Sequence, residues 1–228
     1  MILVKRALRK SDVAIFPGVF NQLEQTYRAL NYDPITGFWG KRILRPVSLG
    51  WGLISSKFGH KRSLPAKIEK ELGWRSRPDS AQLDDLAERM CELSDNRICW
   101  TKDLLKWRFF SNDGPRNLLF IDDQDSQAYC VVAVGMRRNV CLARLVEFGQ
   151  NTDFINQVIA KLKRVGAELC LSYTSSMAGK RSLRKCKFSK TKKQPTSFLK
   201  FRPNNDFKCK FLITGGSTDV GQESLGAF

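Results

Sequence analysis

One short segment of the chain has a backbone that could bind an anion. Gly149, Gln150 and Asn151 follow an apolar run and precede a segment with helical periodicity. Backbone N–H groups at such a junction lie at the positive end of the helix, where phosphate groups bind. The sequence therefore predicts a shallow anion-binding nest at this loop. The glycine at the other end of the same helix, Gly166, lies where the dipole has the wrong sign for an anion.

Several common kinds of catalytic site are excluded by composition. The chain has one histidine, His60, and no G-x-S-x-G segment, which argues against a Ser-His-Asp hydrolase. It lacks the glycine-rich phosphate loop G-x-x-x-x-G-K-[ST] and has no G-x-G-x-x-G segment. Its seven cysteines form no C-x-x-C pair, so we expect reduced and mostly buried thiols and no bound metal.

The positive charge of the chain is concentrated in two blocks. The net charge is +17, and residues 1–75 carry 14 basic and 5 acidic side chains. Residues 176–210 carry 12 basic side chains and one acidic side chain. Such blocks attract polyanions, namely nucleic acid, anionic lipid or a phosphorylated ligand such as coenzyme A, although a solvated basic surface of no specific use would look the same.

Residues 180–210 have the ingredients of a single-strand nucleic-acid site. Lysine and arginine side chains alternate there with Phe188, Phe198 and Phe201. Cations that follow a phosphate backbone, together with rings on which bases stack, are the usual components of such sites. The chain has no RRM, KH or zinc-finger signature, so this alternative predicts a basic module without enzymatic activity.

Periodicity predicts helices in the first half of the chain and a sheet in the second. Helical stripes occur in Phe20–Leu30, in residues 80–96, where Ser80 could cap the helix, and in residues 100–109, where Trp100, Leu104 and Trp107 share a face. Residues 35–75 are mixed, with turn signals at their glycines.

From Asn117 onward the pattern becomes that of strands. Three apolar runs precede a helix at about 153–165, and further runs follow it around a short basic helix at about 182–187. Two final strands are expected, in KKQPTSFLKFR and FKCKFLIT. Antiparallel strands followed by a strand–helix–strand unit predict an α/β (α+β) fold, with a mixed, mostly antiparallel sheet flanked by helices.

Several segments resemble the GNAT superfamily of acyl-CoA N-acyltransferases. Asp103–Phe109, DLLKWRF, resembles the D-x-x-x-W-R-[FY] segment that opens the second domain of bacterial tandem GNAT-like proteins, which are similar to Fem-type and polysaccharide-locus transferases. AYCVVAVGMRR and ARLVEF are similar to strands of those proteins, and KFLITGGSTDV to their closing W-x-L-T-x-G-D-S-D. The resemblance covers about residues 97–220.

The resemblance implies transfer of an acyl group from acetyl-CoA or another acyl-CoA to a small-molecule or peptidyl amine. Members bind the pyrophosphate with a [QR]-x-x-G-x-[GA] loop, which this chain lacks, so Gly149, Gln150 and Asn151 would take its place. Glu147 stands where several members carry a general base. Tyr27 stands where a tyrosine protonates the leaving thiolate, and Tyr173 is an alternative donor. The chain would be an active transferase or a relative that has lost the activity.

A second resemblance concerns the N-terminal part. Asn21, Tyr27 and Tyr32 match the N-x-x-A-x-x-L-Y-x-x-x-G-[FY] helix of GNAT enzymes loosely. Residues 1–95 would then be a partial GNAT-like lobe with a linker, and residues 96–228 the acyltransferase domain. The N-terminus does not resemble a secretory signal, and no apolar run approaches the ~20 residues that span a bilayer, so we expect a cytoplasmic protein.

Overall fold

The computed structural model describes residues 13–19, 21–35, 37–75, 77–92, 100–111, 117–191 and 196–201. The strands are β1 (Val13–Val19), β2 (Asp33–Ile35), β3 (Phe38–Ile43), β4 (Asn117–Ile121), β5 (Tyr129–Arg137), β6 (Val140–Phe148), β7 (Leu169–Thr174), β8 (Ser189–Lys190) and β9 (Thr196–Phe201). The helices are α1 (Asn21–Ala29), α2 (Pro46–Lys57), α3 (Ala66–Arg75), α4 (Ser80–Glu92), α5 (Lys102–Phe109), α6 (Thr152–Val165) and α7 (Met177–Lys185).

The main sheet has six strands in the order β4-β5-β6-β7-β3-β8. Its neighbours are antiparallel except β6 and β7, which run parallel and are joined through α6. The predicted mixed, mostly antiparallel sheet with flanking helices is therefore confirmed. Strand β3, which comes from the first fifth of the chain, fills the place between β7 and β8.

A smaller sheet has the order β1-β9-β2, with both outer strands antiparallel to β9. The two sheets thus exchange strands: β3 of the N-terminal part lies in the six-stranded sheet, and β9 of the C-terminal part lies between β1 and β2. The predicted strand in KKQPTSFLKFR corresponds to β9, whereas FKCKFLIT lies outside the described residues.

Helices cover both faces of the main sheet. Since successive side chains of a strand point to opposite faces, one strand can contribute to two cores. Along β5, Cys130 and Val132 contribute to the core on one face, beneath residues of α3, α6 and α7. Tyr129 and Val131 contribute to a second core, beneath α4 and α5. None of the helices among the described residues is long and apolar enough to cross a bilayer.

Most predicted helices are present, with changes at their ends and faces. Helix α6 buries Val158 and Leu162 as predicted, and Gly166 ends it with a φ of 121°. Helix α7 begins five residues before its predicted start. The predicted face of Trp100, Leu104 and Trp107 is not the buried face of α5, since the Trp107 side chain is 66% exposed and the helix buries Leu105 and Phe109.

The hairpin between β5 and β6 turns through Arg138 and Asn139, whose φ angles are 44° and 60°. A two-residue type I′ turn requires positive φ at both positions, because only this twist matches that of the flanking strands. Asn139 also anchors neighbouring elements: its Oδ1 accepts from Arg62 N at 2.9 Å, and its Nδ2 donates to Ser55 Oγ at 3.3 Å. The turn therefore fixes the position of α2.

Candidate functional site

A β-bulge bends strand β6 shortly before its end. In the pairing with β5, Val132 lies opposite Leu145 and Val131 lies opposite Glu147, so that Val146 is the extra residue. A bulge bends its strand and increases the local twist. Strand β6 therefore changes direction at Val146.

The parallel pairing of β6 with β7 stops where this bend begins. It extends from the Leu142–Leu169 pair to the Leu145–Ser172 pair, where Ser172 Oγ donates to the Leu145 carbonyl at 3.1 Å. Beyond this point β6 continues beside β5, and β7 continues beside β3 as far as Thr174. The pairing of the two central strands therefore ends before their carboxyl ends, and this break in the pairing is the opening between β6 and β7.

Each of the parting strands leads directly into a helix. The loop of residues 149–151 joins β6 to α6, and the Asn151 side chain caps that helix by accepting from Phe154 N at 2.8 Å. Strand β7 leads to α7, which Ser176 caps by accepting from Gly179 N at 3.2 Å. Two helix N-termini, each with a partial positive charge, therefore lie at the same edge of the sheet.

The predicted anion nest lies at this edge, but internal bonds fill part of it. Gly149 N donates to Tyr129 O at 2.9 Å, and Asn151 N donates to Gln127 O at 3.2 Å. A Cβ atom at Gly149 would lie 1.9 Å from Gln127 O, so the close passage of two backbone segments requires glycine there. Of the three predicted residues, Gln150 is the one with an exposed side chain.

A carboxylate lies beside the nest. Asn151 Nδ2 donates to Asp125 Oδ2 at 2.6 Å. This hydrogen bond, followed by one from the Gln127 backbone, lowers the pKa of Asp125 and keeps it ionised. An anionic ligand would therefore have to bind on the solvent side of the loop, near Gln150.

Two of the predicted catalytic residues flank the opening. Glu147 follows the bulge on β6 and is 1% exposed. Tyr173 is on β7, one residue beyond the last β6–β7 pair, and its ring packs against Trp39 with centroids 4.6 Å apart. A Cβ at Gly37 would lie only 2.1 Å from the Tyr173 ring, so the ring lies directly on the backbone that leads into β3.

The third predicted catalytic residue lies in another part of the fold. Tyr27 is on α1, between β1 and β2 of the three-stranded sheet, and its ring contacts Tyr32 edge-on at 5.2 Å. Burial of Tyr32, and to a lesser extent its proximity to Tyr27, raises the pKa of the Tyr32 hydroxyl. The structure thus brings Glu147, Tyr173 and the 149–151 loop to one edge of the six-stranded sheet, whereas Tyr27 lies on the helix between two strands of the smaller sheet.

Part of the basic block borders the same edge. On α7, Ser182 Oγ donates to the Gln150 carbonyl at 3.4 Å, and the Cys186 thiol donates to the Thr152 carbonyl at 3.5 Å. The basic side chains on and after α7 are half-buried or exposed: Lys180, Arg181, Arg184, Lys185, Lys187 and Lys190. Phe188, however, is only 4% exposed and packs in the core, so its ring is not available for stacking on a base. Phe198 and Phe201 have side chains outside the described part.

Two polar residues at the opening were not predicted. Ser172 marks the point of separation, and Arg144 lies on β6 beside it, 5% exposed. Burial, followed by the charge of Arg137, lowers the pKa of the Arg144 guanidinium to about 10. The available signal was a polar residue in the middle of each mostly apolar strand, VCLARLVEF and LCLSYT.

A cavity of about 500 Å³ lies between α3, α4, α6 and strand β4, and none of its lining residues belongs to β6 or β7. Its lining combines acidic and basic side chains, among them Glu71 and Lys161, which form an ion pair at 3.1 Å. No parallel strand end opens into it. The opening between β6 and β7 is therefore the candidate site.

No protein-family model matches this chain, and no curated protein matches it. Among solved structures it is similar to a GCN5-related N-acetyltransferase from Anabaena variabilis, with 10% identity and a TM-score of 0.49. A GCN5-related N-acetyltransferase from Kribbella flavida gives 10% identity and a TM-score of 0.48. Each alignment covers 88% of this chain but only 48% and 47% of the other, so the chain spans about half the length of these structures.

Proposed function

We propose that this chain binds an acyl-CoA with its pantetheine arm between the parting ends of β6 and β7, and transfers the acyl group to an amine. The observation that carries the proposal is the end of the parallel pairing at Leu145–Ser172, beside the bulge at Val146. An extended arm with amide groups fits such an opening, since backbone groups of strands that part are oriented to pair with another extended chain.

Charge at the edge of the sheet favours the phosphate groups of coenzyme A as the ligand. The N-termini of α6 and α7 are both at this edge, and the basic side chains of α7 lie next to the Gln150 loop. A pyrophosphate on the solvent side of Gln150 would be close to both sources of positive charge. The burial of Phe188 makes single-strand nucleic acid the weaker candidate for the same cations.

The residues that flank the opening would supply the proton transfers. The amine nitrogen attacks the thioester carbonyl, its proton passes to Glu147, and the carbon–sulfur bond breaks. The departing thiolate then takes the proton of Tyr173. Tyr173 has this role in the proposal because Tyr27 lies on α1, between two strands of the smaller sheet.

The proposal is tested by isothermal titration of acetyl-CoA into Gln150→Glu and Gln157→Glu variants. Both glutamines are exposed and both changes add one negative charge, but Gln157 lies about 10 Å further along, within α6. Repulsion at the loop should weaken coenzyme A binding of the Gln150→Glu variant by about tenfold, while the control binds like the wild type. Equal affinities of the two variants, or no heat from the wild type at millimolar ligand, would refute the proposed site.

The same proteins can be assayed for transfer to a primary amine. Glu147→Gln keeps the size and hydrogen-bonding capacity of the side chain but removes the base. We expect kcat to fall by at least about 10²-fold, with acetyl-CoA affinity unchanged. An unchanged kcat would remove Glu147 from the mechanism and leave acyl-CoA binding intact, so the two parts of the proposal can fail separately.

A further inference from the structure

Helix α2 has the reverse of the usual amphipathic arrangement. The residues that face the protein are small: Gly52 and Ser55 are buried, and Ser48 bonds to Glu168. The opposite face carries four large apolar side chains at helical spacing: Val47 (87% exposed), Trp51 (67%), Ile54 (51%) and Phe58, just after the helix (74%). The helix thus presents an apolar stripe to solvent.

This orientation is fixed by contacts on the buried side. A Cβ at Gly52 would lie 2.6 Å from the Asn139 carbonyl oxygen, so the helix backbone lies directly on the β5–β6 turn. Ser55 Oγ accepts from Asn139 Nδ2. Glu168 accepts from Ser48 and, at 3.1 Å, from Arg62. The helix cannot turn its apolar stripe inward without breaking these bonds.

The stripe is part of a larger apolar surface. Six of the nine exposed large hydrophobic side chains among the described residues lie between Ile43 and Phe58. Next to the stripe, a groove of about 230 Å³ runs beneath α2, between Leu49, Leu53 and leucines of β6 and β7. A contiguous apolar surface of this kind is uncommon on a protein that has no partner for it.

Several cations border this surface. Residues 34–68 contain seven lysines and arginines and no acidic residue. Lys41, Arg137 and Arg138 line the groove. Arg137 Nη1 is buried and has no hydrogen-bond partner among the described residues. Burial and the neighbouring charge of Arg138 lower the pKa of Arg137, as expected for a cation whose environment lacks an anion.

We propose that the α2 face is a docking surface for an anionic lipid bilayer. The stripe would enter the boundary between head groups and acyl chains, and the surrounding cations would contact anionic head groups. With 12 residues, α2 would lie along the bilayer surface, since it is too short to cross it. Four of the six exposed apolar side chains between Ile43 and Phe58 are aliphatic and do not stack on bases, which favours lipid over nucleic acid.

Vesicle sedimentation with the full chain tests this proposal. The vesicles contain phosphatidylcholine alone or with about one third phosphatidylserine, a fraction that gives a strongly negative surface. The test variant is Trp51→Glu. The matched control is Trp107→Glu, because Trp107 has the same exposure, 66% against 67%, but lies on α5 away from the stripe. Circular dichroism establishes that both variants are folded.

We expect the wild type and the Trp107→Glu variant to bind phosphatidylserine vesicles, and the Trp51→Glu variant to bind at least about tenfold more weakly. Binding to neutral vesicles should be weaker, and raising the salt from about 0.1 M to 1 M should reduce binding further. Equal loss in both variants, or no binding by the wild type, overturns the proposal. Two further outcomes overturn the proposal. In both, the wild type does not bind vesicles but either self-associates or binds an oligonucleotide, and Trp51→Glu abolishes that interaction. The occupant of the surface would then be a second copy of the chain or a nucleic acid.

Discussion

Four cysteine thiols lie in the core on one face of the main sheet: Cys130, Cys141, Cys170 and Cys186. Burial is the main cause that raises the pKa of each, to about 12 for Cys141 and Cys170 and to about 11 for Cys186. The prediction of reduced, buried thiols is confirmed for these four. The Cys91 thiol is exposed, and the remaining two cysteines lie outside the described residues.

The raised thiol pKa values predict a loss of stability in alkali. Above pH 9 the unfolded chain loses thiol protons that the folded protein keeps, so stability is complete below pH 9 and decreases between pH 9 and about 12. In this range, each such thiol lowers the free energy of unfolding by about 1.4 kcal/mol per pH unit. Cys170→Ala should therefore make the decrease shallower by about that amount, as measured by urea unfolding with reductant between pH 8 and pH 11.

Cys91→Ala is the control for this prediction, because it also removes a thiol, but one that is exposed instead of buried. Its stability profile should run parallel to that of the wild type. If the Cys170→Ala profile is also parallel, the alkaline loss has another origin, such as lysine or tyrosine titration.

At the scale of single elements, the sequence predicted the helices and strands whose apolar side chains face the core. Helices α4 and α6 have apolar stripes on the buried side, and strands β4 to β7 are mostly apolar runs. Helix α2 was missed for a physical reason: its apolar side chains face outward and its buried face consists of glycine and serine, so its sequence has no polar stripe. Strand β3 was missed because its partners, β7 and β8, are more than 120 residues away.

The candidate site was also only partly predictable, because some of its features depend on contacts between segments that are distant in the sequence. The position of the 149–151 loop between a strand and a helix follows from local pattern. The need for glycine at position 149 arises from the close approach of the Gln127 backbone. The bulge at Val146 arises from the register of β6 with β5. The local sequence specifies neither the approach nor the register. The opening between β6 and β7 is a property of three strands together.

Glu168 is the residue on which the position of α2 depends. It is fully buried, with one oxygen accepting from Arg62 and Ser48 and the other from Cys141 N at 2.7 Å. Glu168→Ala leaves these donors without an acceptor. We expect a loss of about 3 kcal/mol in the free energy of unfolding, together with faster hydrogen exchange in α2.

Glu71→Ala provides a matched comparison, because Glu71 also forms an ion pair, with Lys161 at 3.1 Å, but both side chains are partly exposed. That pair joins α3 to α6 and should contribute less than about 1 kcal/mol. If the two variants lose similar stability, Glu168 does not have the anchoring role inferred from its hydrogen bonds.

At the scale of the whole molecule, the exchange of β3 and β9 links the two sheets. Strand β2 of the smaller sheet ends at Ile35, and β3 of the main sheet begins at Phe38. With two residues between them, neither strand can shift without moving the other. Strand β9 completes the link in the opposite direction by pairing with both β1 and β2. We therefore expect the two sheets to unfold as one cooperative unit.

Gly37→Ala tests this coupling at the crossing itself. The added methyl group would lie 2.1 Å from the Tyr173 ring, so either the ring or the start of β3 must move, at a cost of about 1–3 kcal/mol. Hydrogen exchange measured by mass spectrometry should show the same loss of protection in β7 and in β9. Gly50→Ala is the control, since among the described residues no atom outside its own helix turn lies within 4 Å of a Cβ there. Alanine in place of this helical glycine should raise the free energy of unfolding by about 0.5–1 kcal/mol. Loss of protection in β7 with full protection retained in β9 would mean that the sheets unfold independently and that the exchanged strands do not couple them.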